Sequence, residues 1–378
     1  MIYLDNASTT KIFDVVNKNI YEINSNCYFN PSALYSKAIE AKNLLTNSRA
    51  NLAKNMGTTG DHIVFTSGAT ESNNMAINGF LTGKKDAEYI FSIGEHPSVY
   101  NVANGLKNAN KKIIFVGLKS DGTVDENQLK QLLTPNTHFV SIIHVNNETG
   151  AINDIKSLCK MVKDYNPNII FHSDGTQAFG KIPVNLSDLG VDCYTISAHK
   201  FHGPKGVGAL YVKNISKLKP YILGGGQQSG FRSGTENISG YVGMCIASDM
   251  VCQNLQSNML KISTMRDYIK QELKQNCDEF CINESYNNSP YILSVSFKGI
   301  RGEVLLHMLE QNGIIIGTGS ACSSKKQSNR VLENMGVKKE YLLGSIRISL
   351  SCLNTPEEIK KATEIIIQQY KNLKEKMR

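Results

Sequence analysis

The sequence predicts an α/β protein with a mostly parallel seven-stranded sheet in a large lobe and a smaller α+β lobe after it. Two patterns predict this. Between about residues 60 and 215, short and fully apolar runs alternate with helical stretches, and past the Gly-rich 223–234 segment the pattern changes to long helices. Alternation of that kind with apolar strands implies a sheet covered by helices on both faces.

The strand candidates in the large lobe are 63–66, 89–93, 112–116, 139–145, 169–173, 193–197 and 209–212. One helix between them is marked by Ile155, Leu158, Cys159 and Val162, which recur at i, i+3, i+4 and i+7 and so line one face. A later helix carries Ile262, Met265, Ile269 and Leu273. Then come a strand at 292–297 and an amphipathic helix at 303–311, stopped by Asn312-Gly313, residues that tolerate the left-handed cap. A last helix starts near Thr355-Pro356-Glu357-Glu358. The expected division is 13–250 for the large lobe, with 1–12 and 251–378 forming the small one.

Composition narrows the class. At 378 residues, 41% hydrophobic and 20% charged, the chain suits a two-lobed enzyme better than a small binding module. No apolar run reaches the roughly 18 residues of a membrane span. The start, MIYLDNASTT, lacks a basic-then-apolar leader, so a cytoplasmic location is expected. The net charge of +8 is scattered among acidic residues, which argues against direct DNA binding. Nine irregularly spaced cysteines point to reduced thiols, with Cys159, Cys193, Cys245 and Cys252 read as buried. Cys277 and Cys281 are placed on a helix, without the further ligands that a metal would need.

In parallel sheets ligands bind beyond the carboxyl ends of the strands, so those residues carry the functional argument. Thr66–Asn74 leaves a strand and opens a helix with small residues. Either it holds an anion on free N–H groups, or it is an ordinary helix cap. Asp174 ends a strand, where it can cap, bind a metal or pair with a protonated ring nitrogen. Lys200 follows the next strand and precedes a Gly/Pro-rich turn. A carboxylate to keep a pyridinium charged and a lysine to hold an aldehyde are what a pyridoxal-phosphate (PLP) site needs. A solvated lysine is the competing reading on spacing alone.

Seven stretches go further together: Tyr3–Ala7, Gly68–Asn74, Glu95–Val99, Asn146–Gly150, Asp174–Gln177, Ser197–Lys200 and Arg232–Asn237. In this order they resemble the cysteine desulfurases, a branch of the class V aminotransferase family with the PLP type I fold, over nearly the whole chain. The resemblance implies that Lys200 forms the Schiff base and Asp174 pairs with the pyridine nitrogen. Gln177 and Asn147 would bond the phenolic oxygen or the substrate carboxylate. Ala69, Thr70, Ser197 and His199 would hold the phosphate, and Thr235 would reach the phosphate of the other subunit of a homodimer. His96 would stack on the ring and shuttle protons, and Arg347 would clamp the carboxylate of L-cysteine.

The residue that would set this branch apart is Cys322, in Gly317–Ser324. Small polar neighbours favour a mobile surface loop, from which the thiol could accept sulfur as a persulfide and swing outward. The resemblance further implies a sulfur-acceptor protein, either an iron–sulfur scaffold or a tRNA-thiolation enzyme, and a possible transient iron–sulfur cluster at the Cys322 loop. Selenocysteine lyase and a class V transaminase share most of these residues; Cys322 favours desulfuration. A catalytically idle scaffold protein is disfavoured because Lys200, Asp174 and His96 occur together. Ala198 stands where the family usually has Gly, which is tolerable if the backbone there avoids positive φ.

Overall fold

A computed structural model of the chain describes residues 1–318 and 329–376. The first strand, β1 (Ile2–Leu4), is separated from the large sheet by two helices, Asp14–Asn26 and Ser36–Asn55. The large sheet contains β2 (Ile63–Thr66), β3 (Glu88–Ser92), β4 (Lys112–Val116), β5 (Thr137–Ser141), β6 (Ile170–Asp174), β7 (Cys193–Ser197) and β8 (Gly208–Val212). Its order is β2-β8-β7-β6-β5-β3-β4, and only β8 runs against its neighbours. The other six therefore point one way, so Thr66, Ser141, Asp174 and Ser197 finish along one edge.

The sequence reading of seven strands and a mostly parallel sheet holds, with shifted boundaries. The run expected over 139–145 leaves regular ladder geometry after Ser141, although the N–H groups of Ile142 and His144 still bond to the carbonyls of His172 and Asp174. Period-two side chains split each strand between two cores. Phe65, Ile90, Val140, Phe171, Ile196 and Ala209 face one side; Val64, Phe91, Phe139, Ile170, Cys193 and Leu210 face the other. Burying each large apolar side chain contributes roughly 1.5–3 kcal/mol.

Two glycines at the working edge are set by close approach. A Cβ on Gly208 would fall 2.6 Å from the Cα of Gly68, and one on Gly175 would fall 2.0 Å from the ring of Tyr194.

The chain turns from one core to another at Asn254. Helix Ile238–Gln253 puts Tyr241, Met244 and Val251 into the large-sheet core. Helix Leu255–Asn276 puts Ile262, Met265, Ile269 and Leu273 into a separate core. That second core is built on an antiparallel sheet of β9 (Phe280–Ile282), β10 (Ile292–Phe297) and β12 (Ser345–Ser349) in the order β12-β10-β9. β11 (Ile314–Ile316) pairs in parallel with β1, so the N-terminus belongs to this core.

Helix Gly302–Gln311 ends at Asn312 and Gly313, with Gly313 at φ +74°. Helix Pro356–Lys376 opens on a capping box: Thr355 Oγ1 accepts from the Glu358 N–H, and Glu358 Oε2 accepts from the Thr355 N–H, each at 3.2 Å.

Two cysteine expectations are corrected. Cys277 ends a helix in extended geometry and Cys281 lies in β9, because Glu279 takes φ +49° and turns the chain between them. Cys252 is half-buried instead of buried, since it sits near the end of its helix where the core gives out. All the described cysteines are free thiols.

Candidate active site

The common edge of β2, β3, β5, β6 and β7 opens into a cavity of about 760 Å³, closed from the small-lobe side by Arg347 on β12 and by residues 7–9. Of the residues expected at the site, Ala69, Thr70, His96, Asn147, Asp174, Gln177, Ser197, His199, Lys200 and Arg347 all line it. Thr235 does not line this cavity and is exposed. Its segment is tied to the cavity wall next door, where Arg232 Nε donates to Glu71 Oε1 at 2.8 Å. Cys322 and the mobile loop expected around it lie outside the described residues.

Asp174 ends β6 and is 2% exposed. Its Oδ1 accepts the Thr176 N–H at 2.9 Å, and its Oδ2 accepts from Asn73 Nδ2 at 2.8 Å. Asn73 also donates to Ser98 Oγ at 2.8 Å, and Ser98 Oγ lies 2.9 Å from His96 Nδ1. His96 caps the helix Pro97–Asn108 through Nδ1, which accepts the Ser98 N–H. That bond has one direction, so the neutral ring carries its proton on Nε2. Burial pushes His96 below the ordinary histidine pKa, with Asp174 opposing.

Lys200 follows β7 in a single 3-10 turn, Ala198–Lys200, and its Nζ donates to the carbonyls of Ala7 (2.7 Å) and Ser8 (2.8 Å). Ala198 is outside the positive-φ set, so alanine fits there. The next close approach falls on Gly203, where a Cβ would sit 2.8 Å from that of Ala198. Across the cavity, Arg347 Nη1 donates to the Asn147 carbonyl at 2.8 Å, and Nη2 donates to Asp5 Oδ1 (2.8 Å) and Ser8 Oγ (2.7 Å).

The donor set fits PLP. Helix Ala69–Gly79 starts at Gly68, whose φ of +151° suits glycine, and its first N–H groups have no intrahelical acceptor to bond. They face the cavity beside Thr70 and Ser197, as an anion requires. Thr176 Oγ1 and Arg347 Nε are buried without a partner among the described residues, so a ligand has donors to meet. Asp174 supplies the carboxylate and Lys200 the amine that the cofactor needs.

The sequence reading assigned no role to several groups in this wall. Arg330 Nη1 and Nη2 donate to the carbonyls of Ile93 (2.5 Å) and Glu95 (2.6 Å), and its guanidinium lies 3.7 Å from the Tyr100 ring centroid. Glu95 is buried behind His96, and burial lifts its pKa to about 8, with Asp174 adding to the rise. Burial lifts Glu148 to about 7, opposed by Arg330 and Arg347. Glu95 and Glu148 lay inside recognised motifs, and only their surroundings show what they do. Arg330 carried no local signal.

A family signature described as Aminotransferase class-V matches residues 2–362. The chain belongs to the class-V aminotransferase family, and it is a PLP-dependent enzyme. Within the family it is 37% identical over 369 residues to a protein named cysteine desulfurase IscS from Dictyoglomus turgidum, covering 97% of this chain and 93% of that one. A solved structure titled NifS-like protein superposes with a TM-score of 0.92 at 34% identity, covering 98% of this chain and all of that one. Another, SspA in complex with cysteine, superposes at 0.82 with 28% identity, covering 94% and 100%.

Proposed function

We propose that this chain is a cysteine desulfurase that converts L-cysteine to L-alanine and receives the sulfur as a persulfide on Cys322. The observation that carries the reading is the convergence of Lys200, Asp174, His96, Asn147 and Arg347 on one cavity from separate elements. Relatives named cysteine desulfurase support it, as does a related structure titled as a complex with cysteine.

PLP, when bound, supplies the electron sink that weakens the bond between substrate carbon and sulfur. Lys200 Nζ would hold the cofactor, and Asp174 would keep the charge on its ring nitrogen. Ala69, Thr70, Ser197 and His199 would bind its phosphate. Arg347, whose Nε has no partner among the described residues, would take the substrate carboxylate beside Asn147. Lys200 Nζ would take the proton from the substrate α-carbon, a role His96 shares only in the tautomer that leaves Nε2 unprotonated. The Cys322 thiolate then attacks the substrate sulfur: a sulfur–sulfur bond forms and the carbon–sulfur bond breaks. The electron pair stays on carbon, which is protonated to give alanine.

The same reading includes a homodimer in which Thr235 serves the other subunit's phosphate, and a cytoplasmic enzyme that hands sulfur to an acceptor protein. It also includes the division into lobes at 13–250 and at 1–12 with 251–378. The test is Cys322→Ser in the holoenzyme, fed L-cysteine with alanine and bound persulfide measured. The variant should keep the yellow visible band and lose persulfide formation. Normal-rate desulfuration by that variant would overturn the proposal.

A further inference from the structure

Behind Lys200 lies a second lysine that the proposed chemistry does not use. Lys181 is only 4% exposed, and no carboxylate among the described residues pairs with it. Its Nζ donates to Gln177 Oε1 at 2.6 Å and lies 6.0 Å from the Tyr291 ring centroid. Gln177 Nε2 donates in turn to the Ala7 carbonyl at 2.8 Å, the same carbonyl that Lys200 Nζ bonds at 2.7 Å. A continuous chain of hydrogen bonds thus joins the buried amine to the amine at the cavity.

We infer that Lys181 is a positioning residue that fixes the Gln177 amide with its N–H end, and not its carbonyl, presented to the cofactor. This inference rests on the reading that Gln177 bonds the cofactor's phenolic oxygen.

An amide can present either end, and its neighbours decide which. Ala7 O can only accept, so it demands the N–H end. Lys181 donates, so it demands the carbonyl. Gln177 lines the cavity, and its second N–H is left for the ligand. Donation by Lys181 also polarises the amide and strengthens that N–H as a donor. Without Lys181 the Gln177 carbonyl is a buried acceptor with no donor, and the Ala7 carbonyl alone is left to hold the amide's orientation. Among the described residues the charged and titratable groups around Lys181 are Lys200, Arg347, His199, His202, Tyr291 and Cys352. None is an anion, and burial in that company lowers the Lys181 pKa well below the usual lysine value.

The readout is the pH midpoint of the visible band of the PLP-loaded enzyme. A donor to the phenolic oxygen draws negative charge away from the lysine-linked nitrogen, which lowers that nitrogen's proton affinity. Losing the donor therefore raises the midpoint. Lys181→Met, which keeps the buried stem, should raise it by roughly half to one pH unit, the worth of one hydrogen bond. The same substitution placed on Gln177→Ala should add nothing, because the effect passes through Gln177. An unmoved midpoint in Lys181→Met, or a shift that persists undiminished on Gln177→Ala, overturns the inference. A Gln177→Ala enzyme with the wild-type midpoint overturns instead the underlying reading of Gln177. A melting curve taken alongside separates a structural role, which would lower the melting temperature and leave the midpoint in place.

Discussion

Arg347 on β12 donates from Nη2 to Asp5 Oδ1 at 2.8 Å, joining two residues 342 positions apart and leaving Nε without a partner among the described residues. The pair aims the guanidinium before any substrate arrives. Arg347→Lys keeps the charge and loses the fork, so KM for cysteine should rise about 10–100-fold, in line with a charge-assisted hydrogen bond. Asp5→Asn should raise KM less, because the fork survives. Steady-state kinetics with the visible band as a control for bound cofactor checks both, and an unchanged KM in Arg347→Lys refutes the assignment.

Asn73 bridges Asp174 to the Ser98–His96 pair. Replacing it by Ala should lower kcat about tenfold, since one hydrogen bond is lost at the group that holds the ring nitrogen's charge. Asn73→Asp should be worse. It sets a second carboxylate beside Asp174, and two such groups in contact cannot both ionise. The expected result is weaker PLP retention, measured by equilibrium dialysis against free cofactor.

Two buried groups, Glu95 and His144, put the stability maximum between about pH 4.5 and 6.5, with losses on either side. Glu95 has a folded-state pKa of about 8 against the usual 4.5, so between these values the folded chain holds a proton that the unfolded chain releases. Its contribution is lost as pH rises through that range. His144 sits buried against the Tyr194 hydroxyl at 2.7 Å, and burial holds it down to about 4. It stays neutral where the unfolded chain protonates, so stability also falls as pH drops from 6.5 toward 4. Glu95→Gln mimics the neutral acid and should gain more stability over wild type at about pH 9 than at about pH 6, read as urea midpoints. Equal gains at both would refute this account.

Arg330 holds the turn that carries His96 by two carbonyls and one aromatic face. Arg330→Ala should destabilise the fold by about 2–4 kcal/mol, summing charged hydrogen bonds and a cation–π contact. It should also lower kcat through a looser His96. Arg330→Lys should recover only part, because lysine cannot reach both carbonyls with one planar group. Denaturant unfolding and kcat together test this.

Local rules made much of this molecule readable from its residues. Strand positions followed from short apolar runs, helix ends from Asn312-Gly313 and Thr355–Glu358, and the chemistry from Lys200, Asp174 and His96 just after apolar runs. These features depend on neighbours within a few positions, so sequence carries them. The Cys277–Cys281 expectation failed because the helix stops at Asn276 and the left-handed Glu279 then turns the chain into β9, and nothing in the spacing announced either.

The sequence by itself determined the two-lobed α/β architecture, the cofactor class and many, though not all, of the residues that line the cavity. Tertiary structure alone decided what aims them. The Arg347–Asp5 pair, the Arg330 tie to the His96 turn and the Lys181–Gln177–Ala7 relay join residues that sequence keeps apart or leaves without a motif. Hydrogen bonds and burial act through space at about 3 Å, and only the folded chain sets those distances.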